Sequence, residues 1–313
     1  MEYRKLGSRG PLVSAIGFGA WAIGGHGYGN VDDAESARAV ARALDLGVTL
    51  FDTADVYGFG HSEEVLGRAL QQARHNVVIA TKFGVAWDVS GRTRRDSSPA
   101  YVQRALDASL RRLNTDYIDL YQVHWPDPET PLSDTMDALQ RALAAGKIRH
   151  IGVSNFTHQQ IADDPRVVSL QALFNMIEHE AEADLLRVRE SGIGRIAYCV
   201  LARGLLSGKF AQQPRFAGTD TRATDANFST PKFYEFSSVA KRLAEIAARH
   251  GATAAQIAIR WAIDHPAVDC ALVGAKTDQQ IIENVHAGEI RLSPHEWSSI
   301  AAAAKPVTAE ESI

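Results

Sequence analysis

Eight short apolar runs alternate with amphipathic segments of helical spacing along this 313-residue chain. That alternation predicts an α/β fold, the (β/α)8 or TIM barrel, with a short N-terminal β-hairpin and long rim loops. The runs fall at 15–19, 48–52, 77–82, 117–123, 148–153, 168–173, 194–199 and 269–273. They are apolar almost throughout, as parallel strands covered on both faces must be. No linker or low-complexity tract interrupts the pattern, so 1–313 reads as a single domain. An open doubly wound sheet is the alternative, and it requires a topological switch point that the sequence does not display.

In chain order, residues 2–5 and Leu12-Val13 flank a Gly-Ser-Arg-Gly-Pro turn, which reads as a hairpin. In the first helical segment Ala37, Val40, Ala41 and Leu44 form the expected apolar stripe, with Asp32 and Asp33 at its start and Gly47 past its end. The third helical segment opens on Ser97-Ser98-Pro99, a cap followed by a helix-starting proline, and carries the stripe Val102, Leu106, Leu110, Leu113. The fourth repeats the pattern with Leu132, Met136, Leu139 and Leu143 and ends at Gly146. One connection is oversized. Between Leu201 and Asp269 lie a Gly/Thr/Arg-rich loop, 204–231, and two helices. A loop of that length in a compact domain is usually functional, and a flexible flap over a ligand is expected.

Composition bounds the function. The net charge is −4, which supplies no basic surface for nucleic acid. No apolar run approaches the length needed to cross a bilayer, and Met1-Glu2-Tyr3-Arg4-Lys5 has no signal-peptide core, so a cytoplasmic protein without membrane partners is expected. The two cysteines, Cys199 and Cys270, lie inside apolar runs and read as buried free thiols.

In a barrel of this kind, catalytic groups sit at the C-terminal ends of the strands. The second run ends in Asp52, with Tyr57 on the loop beyond; the third ends in Lys82 and the fourth in His124. Three consecutive strands thus bring Asp, Tyr, Lys and His to neighbouring points of one rim. The set suits proton transfer to a carbonyl oxygen. Tyrosine, with a pKa of about 10, is a weak acid, and a neighbouring ammonium favours its phenolate. Asp52 would hold Lys82 charged while buried. His124 would steer the substrate oxygen, and Tyr57 would deliver the proton as hydride arrives at carbon. Taken singly, only Lys82 stands out, because an unpaired buried lysine is rare.

At these residues the chain resembles the aldo-keto reductases. The tracts that carry the likeness are Asp52-Thr53-Ala54-Asp55-Val56-Tyr57-Gly58 with Ser62-Glu63-Glu64-Val65-Leu66-Gly67, Thr81-Lys82, residues 116–124 ending in Gln122-Val123-His124, and Ile151-Gly152-Val153-Ser154-Asn155-Phe156. The resemblance implies a nicotinamide cofactor, NADPH/NADP+ in preference with NADH possible, and a small-molecule carbonyl substrate. It implies that Ser154, Asn155 and Gln171 hold the carboxamide, that Tyr198 stacks on the nicotinamide, and that Trp21 borders the cofactor. Leu201, Gly204, Leu205, Ser207, Gly208 and Lys209 would cover the pyrophosphate. Gly274, Lys276, Thr277, Gln280, Glu283 and Asn284 would take the adenosine end, with Lys276 and Thr277 suited to a 2′-phosphate. The chain departs from the family at Cys199-Val200, where the family commonly has Ser-Pro, and at Lys276, where arginine is frequent.

Trp21, Trp87 and Trp125 follow strands one, three and four and, with Tyr57 and His124, are the expected substrate-contacting residues. Specificity is expected on the rim loops 21–30, 83–95, 125–130 and 205–231. Gly17-Phe18-Gly19-Ala20-Trp21-Ala22 fits a dinucleotide fingerprint, but no helix follows it directly, so it is set aside. Glu178-His179-Glu180 reads as a solvated charge run rather than a metal site. Two further classes fit the same barrel: a nucleotide-binding regulatory subunit with little turnover, and a metal-dependent hydrolase.

Overall fold

The computed structural model describes residues 1–303 except Asn30 and Asp163. Expectations placed on Asn30 or on 304–313 therefore lie outside the described residues. The hairpin is present as β1 (Tyr3–Lys5) and β2 (Leu12–Ser14). The chain continues through β3 (Ile16–Gly19), α1 (Asp33–Asp45), β4 (Leu50–Asp52), α2 (His61–Leu70) and β5 (Val78–Phe83). A second hairpin, β6 (Val85–Trp87) and β7 (Thr93–Arg95), precedes α3 (Pro99–Arg112), β8 (Ile118–Val123) and α4 (Leu132–Ala144). Then come β9 (Ile148–Ser154), α5 (His158–Ile161), β10 (Val167–Leu173), α6 (Glu182–Glu190) and β11 (Gly194–Tyr198). After the long loop follow α7 (Lys232–His250), α8 (Ala254–Asp264), β12 (Cys270–Gly274), α9 (Asp278–His286) and α10 (Pro294–Ala303).

Eight parallel strands close into a barrel in the order β3, β4, β5, β8, β9, β10, β11, β12, with β12 returning to pair with β3. All eight runs read from the sequence form these strands. Leu6 and Val13, flanking the turn of the first hairpin, are fully buried in the inner cluster with Leu50, Ala80, Leu120, Ile196 and Leu272. The hairpin therefore plugs the bottom of the barrel, opposite the C-terminal rim. Among the described residues, no helix is long and apolar enough to cross a membrane.

The caps fall where the sequence places them. Asp32 accepts from the backbone of Ala34 and Glu35, and Ser98 accepts from Tyr101 with Pro99 opening the helix. The buried stripe of α1 is displaced by one residue from the expected one: Ser36, Ala39, Val40 and Ala43 face inward, and Ala41 is exposed. Small side chains on this face let the helix lie close to its neighbours, and hydropathy alone ranks Leu44 above them. The hairpin β6–β7 has no counterpart in the sequence pattern, because Thr93, Arg94 and Arg95 are polar and exposed and carry no strand period. The expected flap has a structure of its own. Phe210, Phe216 and Phe228 form a three-ring cluster with centroids 5.0–6.0 Å apart, and Thr221 bonds to Gly27 across the cleft.

Candidate active site

Strand alternation builds the site. Inward-facing residues recur every second position, one pleat period of about 6.6 Å along the strand. Leu50 is followed by Asp52, Ala80 by Lys82, Leu120 by Gln122 and Ile196 by Tyr198. In each strand the first of the pair belongs to the apolar inner layer. The second stands above it, towards the C-terminal rim. The barrel is thus filled by hydrocarbon below and lined by polar groups on top.

Lys82 is 1% exposed, and its Nζ donates to Asp52 Oδ1 at 2.5 Å and to the Thr53 carbonyl at 2.9 Å. The other oxygen of Asp52 accepts from Gln171 Nε2 at 2.8 Å and from Gln122 Nε2 at 3.2 Å. Both oxygens of this buried carboxylate are therefore satisfied, as a buried charge requires. Burial pushes the Lys82 ammonium below its ordinary pKa, while Asp52 works in the opposite direction.

Tyr57 leaves the barrel on a turn in which Gly58, Phe59 and Gly60 all have positive φ (61°, 54° and 103°). Its position is set by a backbone contact. A Cβ on Gly58 would lie 2.0 Å from the Gly24 carbonyl oxygen, so the turn beyond β4 packs directly on the loop beyond β3. Only glycine permits that approach. The Tyr57 ring stacks on Trp21, with centroids 5.9 Å apart at 26°, and meets His124 edge to face at 5.8 Å. Lys82 Nζ lies 5.2 Å from the ring centroid. Burial, with Asp52 second, raises the Tyr57 phenol well above its ordinary value. The expected lowering by Lys82, which is itself paired with Asp52, is outweighed by burial, and Tyr57 is held protonated. His124 is held neutral by burial and by the charges of Lys82 and Arg95.

A cleft of about 500 Å³ runs from this corner across the rim. Of the residues expected at a cofactor, Trp21, Gln171, Tyr198, Leu201, Gly204, Ser207, Lys209, Gly274, Lys276, Gln280, Glu283 and Asn284 line it, as do Asp52 and Tyr57. Ser154, Asn155, Leu205, Gly208 and Thr277 do not line it. Asn155, at φ 63°, donates to the His124 carbonyl and accepts from the Tyr198 hydroxyl at 2.8 Å. Ser154 accepts from the Asn155 amide, and Leu205 is buried. Gly208 turns the backbone at φ 74°, and Thr277 caps α9. Trp87 faces Phe59 and a smaller pocket lined by Asp55, Tyr101, Arg104 and Arg112, and Trp125 packs beside His124 under Arg95. Neither tryptophan lines the main cleft.

Charge along the cleft is uneven. Arg203 pairs with Glu178 and Asp225, and Arg222 pairs with Asp220. Lys209 and Lys276 form no ion pair among the described residues. Burial and the neighbouring cations hold both below the ordinary lysine range. This donor set, two ammoniums without a carboxylate partner beside side-chain-free Gly204 and Gly274 and the capped start of α9, fits an extended phosphorylated ligand.

The family model described as "Aldo/keto reductase family" matches residues 15–305. The chain belongs to that family. It is 40% identical over 289 residues to the aldo-keto reductase YhdN of Bacillus subtilis, covering 90% of this chain and 87% of that one. It is 32% identical to the aldo-keto reductase yakc of Schizosaccharomyces pombe, whose name specifies NADP(+), covering 93% and 87%. Among solved structures, the glycerol dehydrogenase of Gluconobacter oxydans superposes with a TM-score of 0.87 at 34% identity, covering 98% of this chain and 97% of that one.

Several site residues of this aldo/keto reductase escape sequence reasoning. Tyr28, Arg203 and Arg222 line the cleft from loops with no periodic signal. Gln122 stands in the sequence only as part of a motif, although its place two residues after Leu120 on the same strand face marks it as inward and polar. Glu178 is not a solvated charge. It is half-buried, holds Arg203, and accepts from Asn175 and Asn227. Cys199, expected to be buried, is half-buried on the cleft wall, with its thiol pushed up to about 12 by burial. Among the described residues, no group of three or more His, Cys, Asp or Glu could hold a metal.

Proposed function

We propose that the protein reduces an aldehyde or ketone to an alcohol, using NADPH in preference to NADH, with Tyr57 as the proton donor. The observation that carries this reading is the geometry of the corner: Tyr57 on the cleft wall against Trp21 and His124, with the Asp52-paired Lys82 Nζ 5.2 Å from its ring centroid. When bound, a reduced nicotinamide would supply hydride to the carbonyl carbon.

The chain's own residues do the rest. Neutral His124 and the Tyr57 hydroxyl orient the carbonyl oxygen. Tyr57 gives its proton to that oxygen as negative charge develops there. The fixed Lys82 ammonium stabilises the phenolate left behind, and Asp52 keeps Lys82 charged in its buried position. Solvent then returns a proton to Tyr57 after the alcohol leaves. Trp21, stacked on Tyr57, and His124 would border the substrate, and Trp87 and Trp125, off the main cleft, would meet only a substrate that extends past Tyr57. Ser154, Asn155, Gln171 and Tyr198 would meet the nicotinamide end. The loop at 201–209 would cover the pyrophosphate. Gly274, Lys276, Thr277, Gln280, Glu283 and Asn284 would hold the adenosine end, where Lys276, with no carboxylate partner among the described residues, supports a 2′-phosphate. The family match over 15–305 supports reading 1–313 as one barrel domain.

The test is Tyr57→Phe, followed by NADPH absorbance across a panel of carbonyl substrates, with NADH in parallel. Turnover should fall roughly 10²–10⁴-fold, the contribution of a positioned general acid. Undiminished turnover would overturn the mechanism. Cofactor binding without turnover of any carbonyl by the wild type would favour a regulatory subunit instead.

A further inference from the structure

The loop 21–29 after β3 is glycine-rich, and Gly25, Gly27 and Gly29 have φ of 73°, 84° and 72°. Such a backbone is held by its few large side chains rather than by its own preferences. Tyr28 is where it is tied down. The Tyr28 ring meets Trp21 edge to face, with centroids 4.9 Å apart. The Arg222 guanidinium, paired with Asp220 and lying over Phe216 at 4.4 Å, also lies over the Tyr28 ring at 5.3 Å. The Tyr28 carbonyl accepts from Lys276 Nζ at 2.5 Å, and the neighbouring Gly27 carbonyl accepts from Thr221 N and Oγ1 at 2.9 and 3.0 Å. Trp21 in turn stacks on Tyr57. Tyr28, Trp21, Tyr57, Arg222 and Lys276 all line the one cleft.

Tyr28 therefore meets Arg222 with its ring and Lys276 with its carbonyl, and the same ring meets Trp21, which stacks on Tyr57. We propose that Tyr28 is a positioning residue that couples the seating of an anionic group at Lys276 and Arg222 to the placement of Tyr57, through Trp21. The proposal rests on the nucleotide reading above and adds a route by which the phosphate end of the ligand prepares the chemical end. An anion at Lys276 competes with the Tyr28 carbonyl for the ammonium, and at Arg222 it competes with the ring for the guanidinium. Both contacts that hold Tyr28 from outside then change together, and its remaining aromatic contact is Trp21.

Contiguity alone does not establish coupling, so the test measures coupling directly. The probe is adenosine 2′,5′-bisphosphate, which carries phosphates but no nicotinamide. The full-length protein is titrated while tryptophan emission is followed, and the Trp21→Phe protein is subtracted to isolate Trp21. Calorimetry records binding separately. Saturating probe should change Trp21 emission in the wild type. Tyr28→Ala should abolish most of that change, and Tyr28→Phe, which keeps the ring, should restore it. An equal amplitude in Tyr28→Ala, or wild-type binding without any change at Trp21, would overturn the proposal alone. Failure of the probe to bind at all would overturn the nucleotide reading with it. Circular dichroism checks the fold, and Tyr28→Leu replaces the alanine variant if that one does not fold.

Discussion

The two ends of the cleft handle charge in opposite ways. At the chemical end, Lys82 is buried against Asp52, and two glutamine amides occupy the remaining carboxylate oxygen. At the outer end, Lys209 and Lys276 stand near Arg222 without a carboxylate of their own among the described residues, and their ammonium pKa values are depressed by burial first and by that neighbouring charge second. The first arrangement is complete before any ligand arrives. The second is relieved by an anion. On the function proposed, this is the division expected of an enzyme. Groups that move protons need fixed charge states and fixed geometry. Groups that capture a phosphate gain most by leaving their charge unspent.

The contrast has a second aspect. The chemical end is carried by strands, whose register fixes each side chain. The outer end is carried by loops, held by glycines, by left-handed residues such as Arg203 at φ 54°, and by cross-loop bonds.

Lys82→Met breaks the comparison where it is strongest. It leaves Asp52 charged and unpaired in the barrel, which costs about 3–5 kcal/mol. The melting temperature should drop sharply, and kcat should fall by roughly 10² or more as the phenolate loses its cation. Thermal melts and steady-state assays check both, and an unchanged melting temperature would show that the pair is not the buried unit described. Gly58→Ala tests whether position alone matters. The added methyl meets the Gly24 carbonyl, and the φ of 61° strains it further. A displacement of Tyr57 by about 1 Å should lower kcat about 10²-fold while cofactor affinity stays nearly constant. Lys276→Met probes the other end. Loss of one charge-assisted contact, about 1.5–3 kcal/mol, should weaken NADPH at least roughly ten-fold. NADH binding and the melting temperature should barely move. Equal losses for the two cofactors would place Lys276 away from a 2′-phosphate.

Much of the barrel is legible in the sequence because hydrophobic patterning is a local property. The run Ile118-Asp119-Leu120-Tyr121-Gln122 reads as strand whatever lies beside it, and Ser98-Pro99 announces a helix start by its own chemistry. The four residues Asp52, Tyr57, Lys82 and His124 follow from similar logic, since the end of a parallel strand meets the rim wherever the strand sits. The buried face of α1 is not legible to the residue, because the choice between Ala39 and Leu44 depends on how closely the neighbouring helices approach. The hairpin β6–β7 leaves no pattern because its polar strand is stabilised by pairing and not by burial.

By itself, then, the sequence determined the alternation of strands and helices, the caps, and the residues at the ends of β4, β5 and β8. These depend on contacts between near neighbours in the chain. Only the tertiary structure decided where Tyr57 stands, what holds its proton, and which cations of the cleft are paired with carboxylates. Tyr57 is placed by the carbonyl of Gly24, on a separate loop. Its proton is held by burial first and by the field of Asp52 second. Lys276 reaches the cleft beside Tyr28 from the far end of the chain. Desolvation and backbone contact act through space, and no local pattern records them.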